Sequence, residues 1–259
     1  DIAIGSHKYI ETGSKTSKFG LDSEAVKRIS DEARDNKLVN IASVACHIGS
    51  QISDENLILK SLDVICEIAD NLSLNGHAIK FLDIGGGLGI QYKDEKEGDP
   101  GILMAGVRNR LAGKEYKIIL EPGRSIIGSA GILVTRIEYI KNAGGKKFAI
   151  IDAGMNDLIR PSLYDAWHEV KELENREISS DTYDLAGPVC ETGDILAKGR
   201  NLKILPNDFV AFMDVGAYGS VMSSNYNSRL KPMELLVTGN EIEVIRRKET
   251  FEDLIALES

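Results

Sequence analysis

The sequence lacks the features that mark several classes of protein. It contains only three cysteines, Cys46, Cys66 and Cys190, and no Cys-x-x-Cys pair. An odd, widely spaced set of this kind predicts neither a disulfide framework nor a metal site, and it is typical of a reducing cytoplasm. No apolar run approaches the ~20 residues that a membrane helix needs. We therefore expect a cytoplasmic protein with no membrane segment.

An excess of positive charge is also missing. The formal net charge is -9, with acidic and basic residues interspersed, which argues against nucleic acid as a partner. Residues 1–20 predict a loop and are too polar for a signal peptide. The chain opens without methionine, so we expect its start to be a processing or cloning boundary. The composition, 42% hydrophobic and 27% charged, is that of a globular protein.

The first half of the chain alternates apolar runs with amphipathic segments. The predicted strands are 39–45, 78–84 and 116–120, and the predicted helices are 23–37, capped by Ser23, then 53–72 and 102–111. In the second helix, apolar residues from Ile58 to Leu72 follow the 4-3-4-3 spacing of a helix face. Such alternation predicts parallel βαβ units. Residues 91–100 predict a charged surface loop.

After about residue 131 the pattern changes to short strand candidates between turns. They are 132–140, 146–152, 183–186, 209–215, 232–237 and 241–245, with short helices at 162–170 and 250–257. This half predicts an antiparallel β domain. We therefore divide the chain into domains at 1–131 and 132–259. A full (β/α)₈ barrel takes about 250 residues, so the first domain has room for roughly half of one.

Polar and glycine-rich residues follow each predicted strand of the first domain. Gly85-Gly86-Gly87 follows the second strand, and consecutive glycines can form a nest of backbone N–H groups for phosphate. A plain glycine turn is the alternative. Beside such a nest, the flat imidazole of His47 could stack on an aromatic cofactor and Ser50 could donate to a phosphate. In isolation, a histidine satisfied within its strand is the simpler interpretation.

The third strand ends in Glu121-Pro122-Gly123-Arg124. A carboxylate at Glu121 could keep a pyridine nitrogen protonated, which makes the ring an electron sink, or it could cap a turn. Arg124 offers a planar fork to phosphate or carboxylate. In the second domain, Cys190 stands beside a carboxylate on a turn, although a lone cysteine is more often an inert small residue. Tyr218 lies on a glycine turn.

Taken together, these segments resemble the diaminopimelate decarboxylases, a branch of the fold type III pyridoxal-phosphate decarboxylases. In the family's order they are His-Ile-Gly-Ser-Gln at 47–51, Gly-Gly-Gly at 85–87, Glu-Pro-Gly-Arg at 121–124, Cys-Glu-Thr-Gly-Asp at 190–194 and Gly-Ala-Tyr at 216–218. The Arg-Pro-x-Leu-Tyr-x-Ala-x-His pattern at 160–168 points to the diaminopimelate branch. The resemblance implies part of a (β/α)₈ barrel followed by an antiparallel β-sandwich or barrel-like domain.

The resemblance also implies a role for each matching residue. His47 stacks on pyridoxal 5'-phosphate, and Glu121 pairs with its pyridine nitrogen. The positions implied for the phosphate are Ser50, Gly86, Gly87, Gly123 and Arg124, with Tyr218 nearby. Those implied for the substrate are Arg124, Arg160, Tyr164, Glu191 and Tyr218, with Glu191 on the distal amino group. Cys190 is implied in proton transfer, and it reaches with Glu191 into the other subunit of a homodimer.

One expected feature is missing from the sequence. The family's Schiff-base lysine lies in a Tyr-x-x-Lys-Ala-Asn type motif near the N-terminus, and no such motif occurs here. We therefore expect the complete enzyme to convert meso-2,6-diaminopimelate to L-lysine and carbon dioxide, and this chain alone to be inactive. Two alternatives stay open: a decarboxylase of another basic amino acid or polyamine precursor, and a non-catalytic decarboxylase-like binding protein.

Overall fold

The computed structural model describes residues 18–258, so the predicted N-terminal loop lies outside the described residues up to residue 17. The chain divides into two compact units between Ile126 and Ile127. The first unit alternates strands and helices, as its hydrophobic pattern predicts. Its elements are α1 (Ser23–Asp35), β1 (Ser43–Ala45), α2 (Glu55–Leu74), β2 (Phe81–Asp83), α3 (Pro100–Arg110) and β3 (Lys117–Ile119), and α4 (Arg124–Ile127) follows.

The three strands of the first unit form a parallel sheet in the order β1-β2-β3. In the aligned register, Leu82 pairs with Val44 on one side and with Ile118 on the other. Because the strands are parallel and adjacent, their carboxyl ends all lie at one edge of the sheet. Residues that follow the three strands therefore come together there.

Acidic side chains start the helices of this unit. Asp22 Oδ1 accepts a hydrogen bond from Ala25 N–H (2.7 Å), so the predicted cap at Ser23 is wrong by one residue. Asp54 caps α2 and Asp99 caps α3, where Pro100 occupies the first turn. A carboxylate at this position satisfies backbone N–H groups that have no partner within the helix.

The core of the first unit forms where α2 packs on the sheet. The predicted helix face is confirmed, since Ile58, Leu62, Ile65, Ala69 and Leu72 are all buried. All of them except Leu72 pack in one cluster with Leu82 and Ile84 of the β2 region. Each large side chain buried in this way contributes roughly 1.5–3 kcal/mol.

The second unit contains a six-stranded sheet and a separate hairpin. Its strands are β4 (Leu133–Ala143), β5 (Lys146–Ile151), β6 (Val170–Glu172), β7 (Asp181–Ala186), β8 (Ile195–Leu202), β9 (Phe209–Phe212), β10 (Glu234–Thr238) and β11 (Glu241–Arg246), with helices α5 (Arg160–Tyr164) and α6 (Phe251–Leu254). The large sheet has the order β6-β9-β4-β5-β7-β8, and β10 pairs with β11.

The predicted antiparallel pairing holds for every described strand pair of this unit except one, since β5 and β7 pair in parallel. The connection between them is long enough to hold α5 and β6, and parallel neighbours need a crossover of that length. The predicted helix at 162–170 is wrong. Helix α5 ends at Tyr164 because Asp165 adopts a left-handed conformation (φ 50°), and the chain then enters β6.

Two glycines allow the strand ends of the first unit to approach closely. A Cβ on Gly86 would lie 2.1 Å from the carbonyl oxygen of Glu121, and one on Gly87 would lie 2.1 Å from that of Gly49. Both contacts are with backbone, which cannot swing away as a side chain can. Gly87 also has φ +97°, a conformation that other residues rarely adopt. The glycine run therefore packs the strand ends together.

We expect Gly86→Ala to destabilise the chain by at least about 1–3 kcal/mol, since the new methyl group overpacks this junction. Gly123→Ala is the matched control, because a Cβ there meets nothing within 4 Å. Urea unfolding followed by circular dichroism measures both. Equal midpoints for Gly86→Ala and the parent would contradict the close-packing account.

A polar cluster beside α2 predicts a pH dependence of stability. Asp70 accepts hydrogen bonds from Lys114 Nζ (2.5 Å) and Tyr116 Oη (2.7 Å), and these bonds lower the pKa of the carboxyl from 3.8. A lowered carboxyl pKa stabilises the folded chain above pH 3.8, and the contribution is lost as pH falls through the folded value.

Asp70→Asn should therefore be less stable than the parent at neutral pH and equal to it well below pH 3.8. The loss should stay below about 1 kcal/mol, because both side chains of the ion pair are partly exposed to solvent. Urea unfolding of both proteins at the two pH values measures it. A difference that persists unchanged in acid would exclude ionisation of Asp70 as its cause.

Candidate functional site

The ends of the three parallel strands bring the sequence-predicted residues of the first unit together. Gly86 N–H donates to His47 Nδ1 (3.3 Å), and Glu121 N–H donates to the carbonyl of Gly85 (2.8 Å). Gly85 N–H in turn donates to Asp83 Oδ1 (2.8 Å). A backbone–backbone bond thus positions Glu121, and a bond from a backbone N–H to the imidazole positions the His47 ring.

The imidazole of His47 is oriented by this contact. A backbone N–H can only donate, so Nδ1 accepts and the neutral ring carries its proton on Nε2. The ring is exposed, and it lines a groove of about 1700 Å³ together with Asp83 and Glu121. The groove therefore presents a flat ring and two carboxylates to a ligand at the strand ends.

A second group of sequence-predicted residues surrounds a buried arginine. Arg124 is only 7% exposed, and its guanidinium donates to Ser50 Oγ (3.2 Å) and Tyr92 Oη (2.5 Å). The guanidinium carbon also lies 5.6 Å from the centre of the Tyr92 ring. Ser50 and Arg124, predicted as phosphate-binding residues, are therefore neighbours, and Tyr92 holds the arginine from the other side.

These residues fit a phosphate-bearing aromatic cofactor. A guanidinium and a hydroxyl held 3.2 Å apart are donors that suit phosphate oxygens. An oriented imidazole suits the face of an aromatic ring. Glu121 lines the same groove as His47 and supplies a carboxylate that could hold a ring nitrogen in its protonated form. The site therefore offers one group for each part of pyridoxal phosphate.

In the second unit, helix α5 is joined to the turn that carries Cys190 and Glu191. Ser162 Oγ donates to the carbonyl of Gly193 (2.7 Å). Arg160 is buried and Tyr164 is half-buried on the same helix, whereas Cys190 and Glu191 are exposed. One hydrogen bond thus links the helix that carries Arg160 and Tyr164 to the turn that carries Cys190 and Glu191.

The buried side chain of Asp194 stabilises the turn that carries Cys190 and Glu191. Its carboxylate accepts from Met155 N–H (2.6 Å) and Val189 N–H (2.7 Å). Burial raises the pKa of Asp194, and the two N–H donors oppose the rise. A buried carboxylate with such partners fixes the backbone on both sides of Cys190.

Glu191 has a tyrosine partner. Tyr226 Oη donates to Glu191 Oε2 (2.6 Å), and this bond raises the pKa of Tyr226. The contact restricts the carboxylate that the resemblance assigns to an amino group.

Tyr218 has a positive φ of 61° on its Gly-Ala-Tyr-Gly turn, a conformation that is uncommon for a tyrosine and that often marks functional positions.

Sequence reasoning missed Tyr92, Asp194 and Tyr226 as supporting residues. Tyr92 falls in the segment 91–100, which predicts a charged surface loop, yet Tyr92 is buried. The sequence feature that could have pointed to Tyr92 is that it is a lone aromatic residue at the start of that segment. Asp194 belongs to the Cys-Glu-Thr-Gly-Asp segment, but a carboxylate's partners cannot be read from spacing. Tyr226 is distant in sequence from Glu191, and no local pattern joins them.

Residues 18–258 contain no group of three or more His, Cys, Asp or Glu side chains that could hold a metal ion. Across the same described range, no helix combines the length and the apolar character that crossing a bilayer requires.

Comparison with known proteins gives consistent similarities. Residues 29–216 match the family model described as the C-terminal sheet domain of the pyridoxal-dependent decarboxylases. The chain is 44% identical over 259 residues to the diaminopimelate decarboxylase of Pseudomonas aeruginosa, covering 100% of this chain and 62% of that protein. It therefore spans about 62% of the length of that curated relative.

Two solved structures are similar along nearly the whole chain. The diaminopimelate decarboxylase of Helicobacter pylori, crystallised with L-lysine, has a TM-score of 0.94 and 40% identity, covering 99% of this chain and 64% of that one. The enzyme from M. jannaschii, also in complex with L-lysine, has a TM-score of 0.90 and 34% identity, covering 100% and 62%. Both relatives thus have the same fold as this chain.

We expect Tyr92→Phe to weaken binding of pyridoxal phosphate about tenfold. The substitution keeps the ring and removes the hydroxyl that Arg124 contacts, and a hydrogen bond to a charged group is worth about 1.5–3 kcal/mol. An absorbance titration on the product of the complete coding sequence measures the affinity. Tyr139→Phe, at a half-exposed tyrosine of β4, is the control. Unchanged affinity in Tyr92→Phe would show that the hydroxyl does not hold Arg124 for phosphate.

Proposed function

The chain belongs to the pyridoxal-dependent decarboxylases, and from this premise we propose that it serves in the decarboxylation of meso-2,6-diaminopimelate to L-lysine and carbon dioxide, the last step of lysine biosynthesis. The observation that carries the proposal is the contact of Arg124 with Ser50 at the strand ends that also hold His47 and Glu121. The chain spans only 62% of its curated relative, so the activity is proposed for the complete protein.

The first unit holds pyridoxal phosphate in this proposal. Ser50 and Arg124 bind its phosphate with the backbone of three glycines, Gly86, Gly87 and Gly123. His47 stacks on the ring, and Glu121 keeps the ring nitrogen protonated. When bound, the protonated ring delocalises the electron pair that remains when carbon dioxide leaves. The supporting observations are the oriented imidazole and the buried guanidinium.

The second unit binds substrate and delivers the proton. Arg160, Tyr164 and Tyr218 of this unit, together with Arg124 of the first unit, hold carboxylate and polar ends of the substrate. Glu191 binds the distal ammonium group, with its carboxylate restricted by Tyr226. The Sγ of Cys190 gives its proton to the carbon that has lost carbon dioxide, which yields L-lysine.

The same proposal covers the assembly. We propose that the first unit, up to the predicted boundary near residue 131, is part of a pyridoxal-phosphate-binding (β/α)₈ barrel, followed by a C-terminal β domain. Cys190 and Glu191 serve the site of the other subunit in a homodimer. A cytoplasmic location is supported by the three free thiols. Without the Tyr-x-x-Lys-Ala-Asn type motif, the 259-residue chain alone is inactive.

Product formation from four substrates tests the function of the complete protein. Diaminopimelate, ornithine, arginine and carboxynorspermidine are each supplied with pyridoxal phosphate. The proposal predicts turnover of diaminopimelate above the other three. Preference for another amine would identify a different decarboxylase of the family. No turnover of any substrate would favour a non-catalytic binding protein.

Glu191→Gln tests the specificity role separately. The substitution keeps shape and removes the charge that pairs with the distal ammonium group. We expect kcat/KM for diaminopimelate to fall roughly 10- to 100-fold, the equivalent of a charged hydrogen bond worth about 1.5–3 kcal/mol. Glu243→Gln, at an exposed position of β11, is the matched control. If Glu191→Gln matched the parent, the assigned role of Glu191 would be wrong.

A further inference from the structure

The arginine proposed to bind the substrate carboxylate lies against a fully buried histidine. Arg160 is 6% exposed and His168 is 0% exposed. Arg160 Nη1 lies 2.9 Å from His168 Nε2. Neither the resemblance nor the residue pattern assigns a role to His168.

The other ring nitrogen fixes the tautomer of His168. Nδ1 lies 2.8 Å from the carbonyl oxygen of Met213. A carbonyl oxygen only accepts, so Nδ1 must carry a proton. In the neutral ring Nε2 then bears a lone pair, which accepts from Arg160. A protonated ring would set two N–H donors against each other, so the contacts select the neutral form.

The histidine is held by backbone and side-chain contacts on several sides. Arg200 Nη2 donates to the carbonyl of His168 (2.9 Å), and the Arg200 guanidinium lies 4.3 Å from the ring centre of Trp167. Met213 N–H donates to the carbonyl of Glu169 (2.9 Å). With its backbone held by these contacts and both ring nitrogens hydrogen-bonded, the imidazole limits the positions open to the guanidinium.

We infer that His168 is a positioning residue that aims the Arg160 guanidinium at the substrate carboxylate. The inference rests on the proposed function, in which Arg160 receives that carboxylate. The bond to His168 engages one Nη1 donor of a planar group with five N–H donors, and so restricts where that end of the guanidinium can lie. A neutral acceptor also leaves the positive charge of Arg160 uncompensated by this partner, whereas a carboxylate in its place would compete with the substrate.

A structural role offers the other interpretation of His168. A buried histidine bonded to Met213 would stabilise the fold whether or not it acted on Arg160. The two roles differ in what they predict for substrate binding. A positioning residue changes KM through Arg160, and its effect disappears once Arg160 is altered. A structural residue changes stability and cofactor binding alike.

A double-mutant cycle in the product of the complete coding sequence separates the two roles. The variants are His168→Leu, Arg160→Lys, both together, and His168→Gln, whose amide oxygen can still accept from Arg160. We expect His168→Leu to raise KM for diaminopimelate roughly 10- to 100-fold, since small misplacements of a binding group cost up to about 10²-fold. Affinity for pyridoxal phosphate should stay unchanged, and His168→Gln should recover most of the loss.

In the Arg160→Lys background, His168→Leu should add little further change in KM, because the group it positions is already altered. Multiplicative effects of the two substitutions would overturn the inference, as would an unchanged KM in His168→Leu. Failure of the parent protein to turn over diaminopimelate would instead refute the proposed function. The cycle itself compares KM values and does not depend on the stability of the variants.

Nitrogen NMR of the labelled histidine rings gives an answer independent of activity and of the leucine variant's folding. In the product of the complete coding sequence, loss of one signal in His168→Gln assigns the ring. At neutral pH we expect a neutral ring with its proton on Nδ1 and a bare Nε2. A proton on Nε2 would remove the acceptor for Arg160 and overturn the inference even if kinetics could not be measured.

Discussion

The close approach of strand ends in the first unit is the constraint on which the candidate site depends. Gly86 and Gly87 have no Cβ, and the space that a Cβ would need is taken by the backbone of Glu121 and Gly49. This packing brings the residues after β1, β2 and β3 to one edge of the sheet. The triple glycine thus has a structural reason that holds without a ligand, and the proposed binding of phosphate would use the same geometry.

In the second unit, buried polar groups hold the segments that carry the proposed substrate-binding residues. Asp194 ties the Cys190 turn to Met155, and Asp157 accepts from Gly154 N–H (2.9 Å). Burial raises the pKa of both carboxyls, and backbone donors oppose the rise. A buried carboxylate without its partners costs several kcal/mol, so such contacts specify one arrangement of the loops. In the same way, the buried cation of Arg160 has a hydrogen-bond partner, the neutral ring of His168.

Hydrophobic spacing predicted much of the first unit because its elements are local. The buried face of α2 and the three strands follow from hydrophobic repeats that fit within a short stretch of sequence. The parallel pairing of β5 with β7 did not follow, since it joins distant segments. Strand β8 was missed because Gly199 and its charged neighbours interrupt the apolar pattern. Tyr92 was taken for part of a surface loop because its partner, Arg124, lies over thirty residues away.

A crystal structure of the product of the complete coding sequence with pyridoxal phosphate and L-lysine tests the central claim most directly. The account predicts the phosphate within hydrogen-bonding distance of Ser50 Oγ and the Arg124 guanidinium, with the ring on His47 and its nitrogen toward Glu121. A phosphate bound away from the Gly86–Gly87 strand ends would contradict it, and the glycine run would then serve packing alone.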